Sequence, residues 1–389
     1  MLFFDSKSSE TKIAQPRSLP WVILNYLKKI AFGLILLVVA LMILIKLDTP
    51  AVAEFTDNYL RPVLGDSNVV FLEKMYFNLS DSIASSVVYK FKKPSAPKLL
   101  GQNQSSALFT SLDLAPIPPN PAFTSLEGEG VWHNLPLAIF PDREVMADTF
   151  VRPDSARDYA IVTIAQLDTS LLEFGSVAGT KQPGGPVGKP GPGKVPDNII
   201  QSGNLVAAFE GGFQYRDGAY GMIVGATTYL PLKNDLATII GYQDGSIKIL
   251  NYTGQSLGDN VEFVRQNGPM LIENGNITVT DPENRNIWGK TVGGNTYTWR
   301  SGIGITKIGE LIYAVGNNLS PLTLADALQM AGAVSAIQLD INPYWVRFNI
   351  FNKTGQGQYS SYPLIKDMPD GSKQYLNGYS KDFFYVYKK

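Results

Sequence analysis

The sequence predicts an α+β chain: a β-rich mixed-sheet domain with few helices, preceded by one N-terminal transmembrane helix and a helical stalk. Three observations predict it. Ile30 to Ile45 is an unbroken apolar run bracketed by Lys28, Lys29 and Lys46. From about Glu127 onward, short alternating segments are divided by turn dipeptides. Helical spacing is scarce there, apart from Leu324 to Ala331.

Residues 1–20 read as a cytoplasmic tail and 21–47 as a signal-anchor helix, the apolar run plus snorkelling lysines approaching the ~20 residues that span a bilayer. Lys7, Lys12, Arg17, Lys28 and Lys29 precede the run, and few bases follow it, which places the N-terminus in the cytoplasm and the rest outside the cell membrane. A cleaved signal peptide, with Ala51-Val52-Ala53 as its small-residue site, is the alternative, and it too exports the chain. Residues 48–93 form a helical stalk whose stripe Val69, Leu72, Met75, Leu79, Ile83 and Val87 fits either a homo-oligomer contact or packing on the main domain. Residues 94–126, rich in Pro, Ser and Asn, read as a linker, and 127–389 as the functional domain. Cysteine is absent, so an exported domain is held by its core, as suits a bacterial envelope protein. A formal charge of −1 offers no electrostatic case for nucleic acid.

Within the domain, Tyr159 to Ile164 and Ile247 to Leu250 alternate as strands, and Asp217-Gly218, Asp244-Gly245 and Asn274-Gly275 are hairpin dipeptides. Thr323 and Asp326 have capping-box spacing, Leu324, Leu328 and Ala331 follow as a helical face, and Gly332 occupies the C-cap place. Ala333 to Leu339 is then a buried strand that ends on Asp340 and Asn342. Gly188 to Lys194 imitates a phosphate-binding loop, but Val195 replaces the required hydroxyl and prolines fill the interior. Lys181 to Pro196 therefore reads as a flexible insertion.

Three strand ends place polar residues opposite the bulky apolar set: Glu210 after Leu205 to Phe209, Arg300 beside Trp299, and Gln338, Asp340 and Asn342 along the last strand. Together they predict one polar floor, with Gly211, Gly212, Gly302 and Gly304 permitting close approach and the turn Gln266-Asn267-Gly268-Pro269 adding donors. A solvated sheet face, or a bridge between Arg300 and a carboxylate, is the alternative. His133 is the only histidine and no thiol exists, which removes multi-histidine zinc sites and cysteine nucleophiles. What remains is carboxylate chemistry. Asp340 and Glu210 are candidates for acid–base work or as ligands of Ca²⁺ or Mg²⁺, and Arg300 for holding an anion.

At these residues the chain resembles the phosphodiester glycosidase family, in a membrane-anchored bacterial branch. The carriers are Thr149 to Asp154, Ala207 to Phe213, Tyr220-Gly221-Met222, Arg265 to Pro269, Trp299 to Gly304, and Leu339 to Trp345, spread over about Val131 to Tyr387. The resemblance implies an enzyme, a hydrolase of a sugar-1-phosphodiester in exported glycans or related polymers, with that carbohydrate as partner. Asp340 carries over from the family as the principal carboxylate; on the hydrolase reading Glu210 is its partner and Arg300 holds the phosphate, helped by Asn267 and Gly268. Gln338 and Asn342 would then orient sugar hydroxyls, with Gly211 and Gly212 beneath. The chain departs from the family where Glu210 replaces an Asn, and where Asp340-Ile341-Asn342-Pro343-Tyr344 replaces Asp-Gly-Gly-Gly-Ser. An inactive glycan- or protein-binding module of the same fold is the alternative. On the hydrolase reading, Asp340→Asn abolishes turnover and leaves the melting temperature nearly unchanged.

Overall fold

The computed structural model describes residues 23–29, 32, 94–101, 109–289, 296–366, 368 and 372–389. The chain divides into two compact units, Met1–Val63 and Leu64–Lys389. In the first, residues 23–29 and Phe32 are helical. No helix among the described residues is long and apolar enough to cross a membrane. Most of the expected anchor at 21–47 lies outside the described residues, as do the tail at 1–20 and the stalk at 48–93 with its oligomer stripe.

In the second unit the strands are β1 (Phe109–Thr110), β2 (His133–Asn134), β3 (Arg143–Glu144), β4 (Met146–Val151), β5 (Val162–Leu167) and β6 (Leu172–Val177). Helix α1 (Asp197–Ser202) leads to β7 (Leu205–Glu210), β8 (Met222–Val224), β9 (Thr227–Leu230), β10 (Leu236–Tyr242), β11 (Ile247–Tyr252), β12 (Val261–Gln266), β13 (Met270–Glu273) and β14 (Asn276–Ile277). Then come α2 (Arg285–Trp288), β15 (Thr298–Thr306), β16 (Leu311–Leu319), α3 (Pro321–Met330), β17 (Ala333–Gln338), β18 (Phe348–Gly355), β19 (Gln358–Pro363), α4 (Ser372–Asn377) and β20 (Phe383–Lys388).

These strands form an eight-stranded sheet, β14-β13-β17-β15-β16-β5-β4-β2, and two five-stranded sheets, β19-β18-β7-β20-β6 and β11-β10-β12-β8-β9. The β-rich class with few helices is as expected, but the expected mixed pairing is not. Each large sheet is antiparallel, and among the described residues the parallel pair is the two-residue contact of β1 with β3. Short hairpin links account for the pairs β8–β9, β10–β11, β13–β14, β15–β16 and β18–β19, since a parallel neighbour needs a long crossover. Asn274-Gly275 is such a link, with φ of 50° and 78°, the left-handed pair that a two-residue turn demands. Asp217-Gly218 instead closes a 3₁₀ turn at Tyr215–Asp217, with Gly218 as its C-cap.

One core joins all three sheets, through Phe209, Phe348 and Phe384 from one, Ile303, Tyr313 and Ile337 from the second, and Ile239 and Phe263 from the third. Phe209 stacks on Phe348 at 5.5 Å and tilts against Tyr313 at 5.5 Å. Burying each such ring contributes about 1.5–3 kcal/mol.

The opposite face of the eight-stranded sheet is covered by α3. Ser320, one residue before Pro321, caps this helix by accepting from the Thr323 amide at 3.0 Å, so the cap lies three residues earlier than Thr323. Leu324 and Leu328 then seat on Gly302, where a Cβ would stand 3.2 Å from Leu324 Cδ2. Gly302 and Gly304 therefore admit the helix and Ala333, not a ligand.

The segment expected to be a flexible insertion is built into the domain: Val195 is fully buried, its amide donates to the Tyr375 carbonyl at 2.9 Å, and the Gly193 carbonyl accepts from Tyr379 at 2.7 Å. The Pro-rich segment also packs on the domain, through buried Leu112 and Ile117.

Candidate functional site

The end of β7 delivers Glu210 into a dry interior, 2% exposed. Tyr313, from β16, donates to its carboxyl at 3.0 and 3.2 Å, and the Arg347 amide donates to Oε2 at 2.9 Å. Ser301, from β15, donates a short hydrogen bond to Oε1. Burial raises the Glu210 carboxyl to about 7; the Ser301 and Arg347 hydrogen bonds oppose that rise, and the nearby Asp340 charge adds to it. Burial therefore favours the protonated carboxyl of Glu210 well above the pH at which a free glutamate ionises.

Asp340 lies just past β17, where the chain turns out of the sheet. Its Oδ1 accepts from the Ile341 amide at 2.7 Å and the Asn342 amide at 3.0 Å, and Lys381 donates to Oδ2 at 2.6 Å. Both side chains of this ion pair are 5% exposed. Burial works against the Lys381 ammonium, but the Asp340 charge and hydrogen bond outweigh it and its pKa is raised. Ser301 joins the two carboxyl groups: its Oγ accepts from the Asp340 amide at 3.2 Å while donating to Glu210. The Lys381 Nζ also sits 4.8 Å over the Trp345 ring, which lies half-buried above it.

A second buried ion pair supports the floor. Arg265 donates from Nε to Asp382 Oδ2 at 2.7 Å and from Nη2 to Oδ1 at 3.3 Å. The amide of Gly212 donates to Asp382 at 3.2 Å, and a Cβ on Gly211 would stand 2.0 Å from Asp382 Oδ2. Asp382 thus requires a glycine at 211, and a Cβ at 212 would press on Arg265 Nη2 at 3.0 Å. Asn267 clamps two strands, its Nδ2 donating to the Gln338 and Leu339 carbonyls at 2.6 Å and its Oδ1 accepting from Phe213. Asn342 shapes the turn after Asp340, its Oδ1 accepting from the Tyr344 amide at 2.9 Å.

Arg300 and Gln338 lie elsewhere. Ser301 faces Glu210, so its neighbour Arg300 points to the α3 side of the sheet, where Gly302 also faces. Its guanidinium donates to the carbonyls of Leu319 at 2.8 Å, Trp288 at 3.3 Å and Thr296 at 2.9 Å, and to Gln338 Oε1 at 2.7 Å. Burial lowers its pKa to about 9. The single expected floor is therefore two sites on opposite faces: Glu210 and Asp340 on one, Arg300 and Gln338 on the other. A cleft of about 260 Å³ is lined by Asp235, Pro269, Glu273, Asp281 and Trp288, whose carbonyl accepts from Arg300, and Gly268 lies near Ile287 of the same lining. Its three carboxylates make it a poor host for phosphate.

Among the described residues no group of three or more His, Cys, Asp or Glu is arranged to hold a metal. Asp340 and Glu210 remain the metal candidates, but their oxygens are committed to Lys381, Ser301, Tyr313 and backbone amides. A divalent ion there would have to displace the Lys381 ammonium. Lys381, Ser301, Tyr313, Arg347 and Asp382 were absent from the sequence-derived site. Ser301 carried a signal, as the lone hydroxyl on a strand face otherwise made of Trp299, Ile303 and Ile305.

Residues 203–340 match the phosphodiester glycosidase family model, a segment that runs from just before β7 to Asp340. The resemblance to that family is therefore shown over this segment, and Lys381 and Asp382 lie beyond it. Among solved structures, the chain is similar to the zebrafish N-acetylglucosamine-1-phosphodiester alpha-N-acetylglucosaminidase catalytic domain auto-inhibited by pro-peptide, at 16% identity and a TM-score of 0.40 over 66% of this chain and 88% of that one. It is also similar to a hypothetical protein from Synechocystis, at 13% identity and a TM-score of 0.35 over 64% of this chain and 63% of that one. A putative exported protein from Burkholderia pseudomallei matches at 11% identity and a TM-score of 0.27, over 59% of this chain and 74% of that one. Curated proteins give no significant match.

Proposed function

We propose that the domain hydrolyses a sugar-1-phosphodiester in an exported glycan or related polymer. The observation that carries this reading is the buried chain Glu210–Ser301–Asp340–Lys381, most of it within the segment that matches the family model. Two carboxyl groups joined through one hydroxyl, one pushed toward its protonated form by burial and one paired with an ammonium, suit the acid–base cleavage of a glycosidic bond. Glu210 serves as the proton donor. Asp340 acts at the sugar carbon or on the attacking water. Asn342 orients the turn on which Asp340 sits, and we assign Arg300 and Gln338 to holding the sheet beneath α3. The base-rich residues before the apolar run support anchoring of the chain in the cell envelope, with this domain outside.

The test is release of free sugar from an aryl sugar-1-phosphodiester by the full-length chain. The Asp340→Asn variant should lose turnover by about a hundred- to ten-thousand-fold at equal folded fraction. Undiminished turnover removes Asp340 from the chemistry.

A second reading, a glycan- or protein-binding module without turnover, is favoured by one observation: both Glu210 oxygens are already satisfied by Ser301, Tyr313 and the Arg347 amide, as suits a structural buried acid. Sugar-phosphodiester binding without product release would select it.

A further inference from the structure

Arg347 is 1% exposed, and among the described residues it has no carboxylate at ion-pair distance. Its Nε and Nη2 donate to the Tyr344 carbonyl at 3.2 and 2.9 Å, and Nη1 donates to Gln374. Three of the five N–H groups of a guanidinium are thereby used. A buried, uncompensated guanidinium is costly unless an anion joins it.

Its surroundings are built for one. Tyr375 and Tyr379 are 0% and 5% exposed, and neither phenol oxygen has a hydrogen-bond partner. Their rings meet edge-on at 5.7 Å, and the Arg347 guanidinium lies 5.8 Å from the Tyr379 ring. Arg347 and Lys381 both lie over the Trp345 ring, at 5.9 and 4.8 Å, so the two cations and the two phenol rings form one cluster beside Asp340. Lys381 gives one of its three N–H groups to Asp340. Unspent donors on four buried side chains thus gather around these rings, and the neighbouring carboxylates Asp340 and Asp382 are already offset by Lys381 and Arg265.

We propose that Arg347, Lys381, Tyr375 and Tyr379 form a phosphoryl-oxyanion subsite adjoining Glu210 and Asp340. One uncompensated positive charge suits the single negative charge of a phosphodiester, and the two phenols supply neutral donors to its non-bridging oxygens. Identifying that oxyanion with the substrate's phosphodiester rests on the hydrolase reading; the oxyanion site itself does not.

The experiment is titration calorimetry of the full-length chain with dimethyl phosphate, inorganic phosphate and uncharged trimethyl phosphate. The two anions should bind one per chain and the neutral ester should not. The Tyr375→Phe/Tyr379→Phe variant should weaken anion binding by about tenfold or more, since each lost bond is one to a charged group. Its unfolding temperature should not fall, because the removed hydroxyls have no partner in the folded chain. Wild-type affinity in that variant, equal binding of trimethyl phosphate, or no anion binding at all overturns the subsite. Phenol-dependent anion binding without any turnover of sugar phosphodiesters upholds the subsite and removes the hydrolase.

Discussion

Residues 300 and 301 are neighbours on one strand, yet they serve opposite halves of the molecule. Arg300 points toward α3 and spends its donors on three carbonyls and Gln338. Ser301 points into the three-sheet core and joins Glu210 to Asp340. The larger charge lies on the structural face and the small hydroxyl on the chemical one. The difference teaches that a charged side chain beside glycines marks a site only when its donors are unspent. Arg300 has nearly exhausted its own; Arg347 and Lys381 have not.

The comparison breaks most readily at Asp340. Asp340→Asn leaves Lys381 buried without a counter-charge, so stability should fall by about 3–5 kcal/mol, measured by urea unfolding. This corrects the expectation of an unchanged melting temperature, which did not foresee the buried pair with Lys381. Adding Lys381→Met to that variant should restore part of the loss; no recovery would mean that the pair is not the cause.

Glu210 comes next. Its folded pKa, about 7, stands above the ordinary 4.5. The native state therefore binds the extra proton between these values, and stability declines as pH rises from about 4.5 through 7, by roughly 3 kcal/mol. Above that window the contribution is flat. Unfolding of Glu210→Gln across the same pH range should lose this slope, and a slope that persists would assign it to another group.

On the structural face, Arg300→Met should cost about 2–3 kcal/mol by stranding buried carbonyls, while KM for an anionic substrate stays within about twofold. A tenfold rise in KM would return Arg300 to the phosphate.

The smallest effect belongs to Gly302→Ala, whose Cβ would stand 2.9 Å from the Ile337 carbonyl and 3.2 Å from Leu324 Cδ2. Overpacking there should cost about 1–2 kcal/mol without changing turnover, as calorimetry and initial rates would show.

Much of the fold was legible because it is periodic. Leu205 to Glu210, Trp299 to Ile305 and Ala333 to Gln338 are strands, and the Leu324/Leu328 face marks the helix. Period two even gave the right parity along β15. What failed was the step from parity to function: the charged face was taken for the site face, though burial of Ser301 among apolar neighbours was the better signal. The Ser320-Pro321 start of α3 was readable as a cap and first-turn proline, but Thr323 competed for the role. Lys381 was not legible at all. Its partner is 41 residues away, and the partner of Ser301 is 91 residues away, so only the sheet order brings them together. Antiparallel pairing throughout the large sheets was equally a matter of connection, not composition.

The most direct test compares the two faces of one strand in one assay: kcat/KM for an aryl sugar-1-phosphodiester, measured for Glu210→Gln and Arg300→Met at matched folded fraction. The account predicts a loss of about a hundredfold or more for Glu210→Gln and near-wild-type turnover for Arg300→Met. The reverse ranking, with Arg300→Met inactive and Glu210→Gln unimpaired, would contradict it.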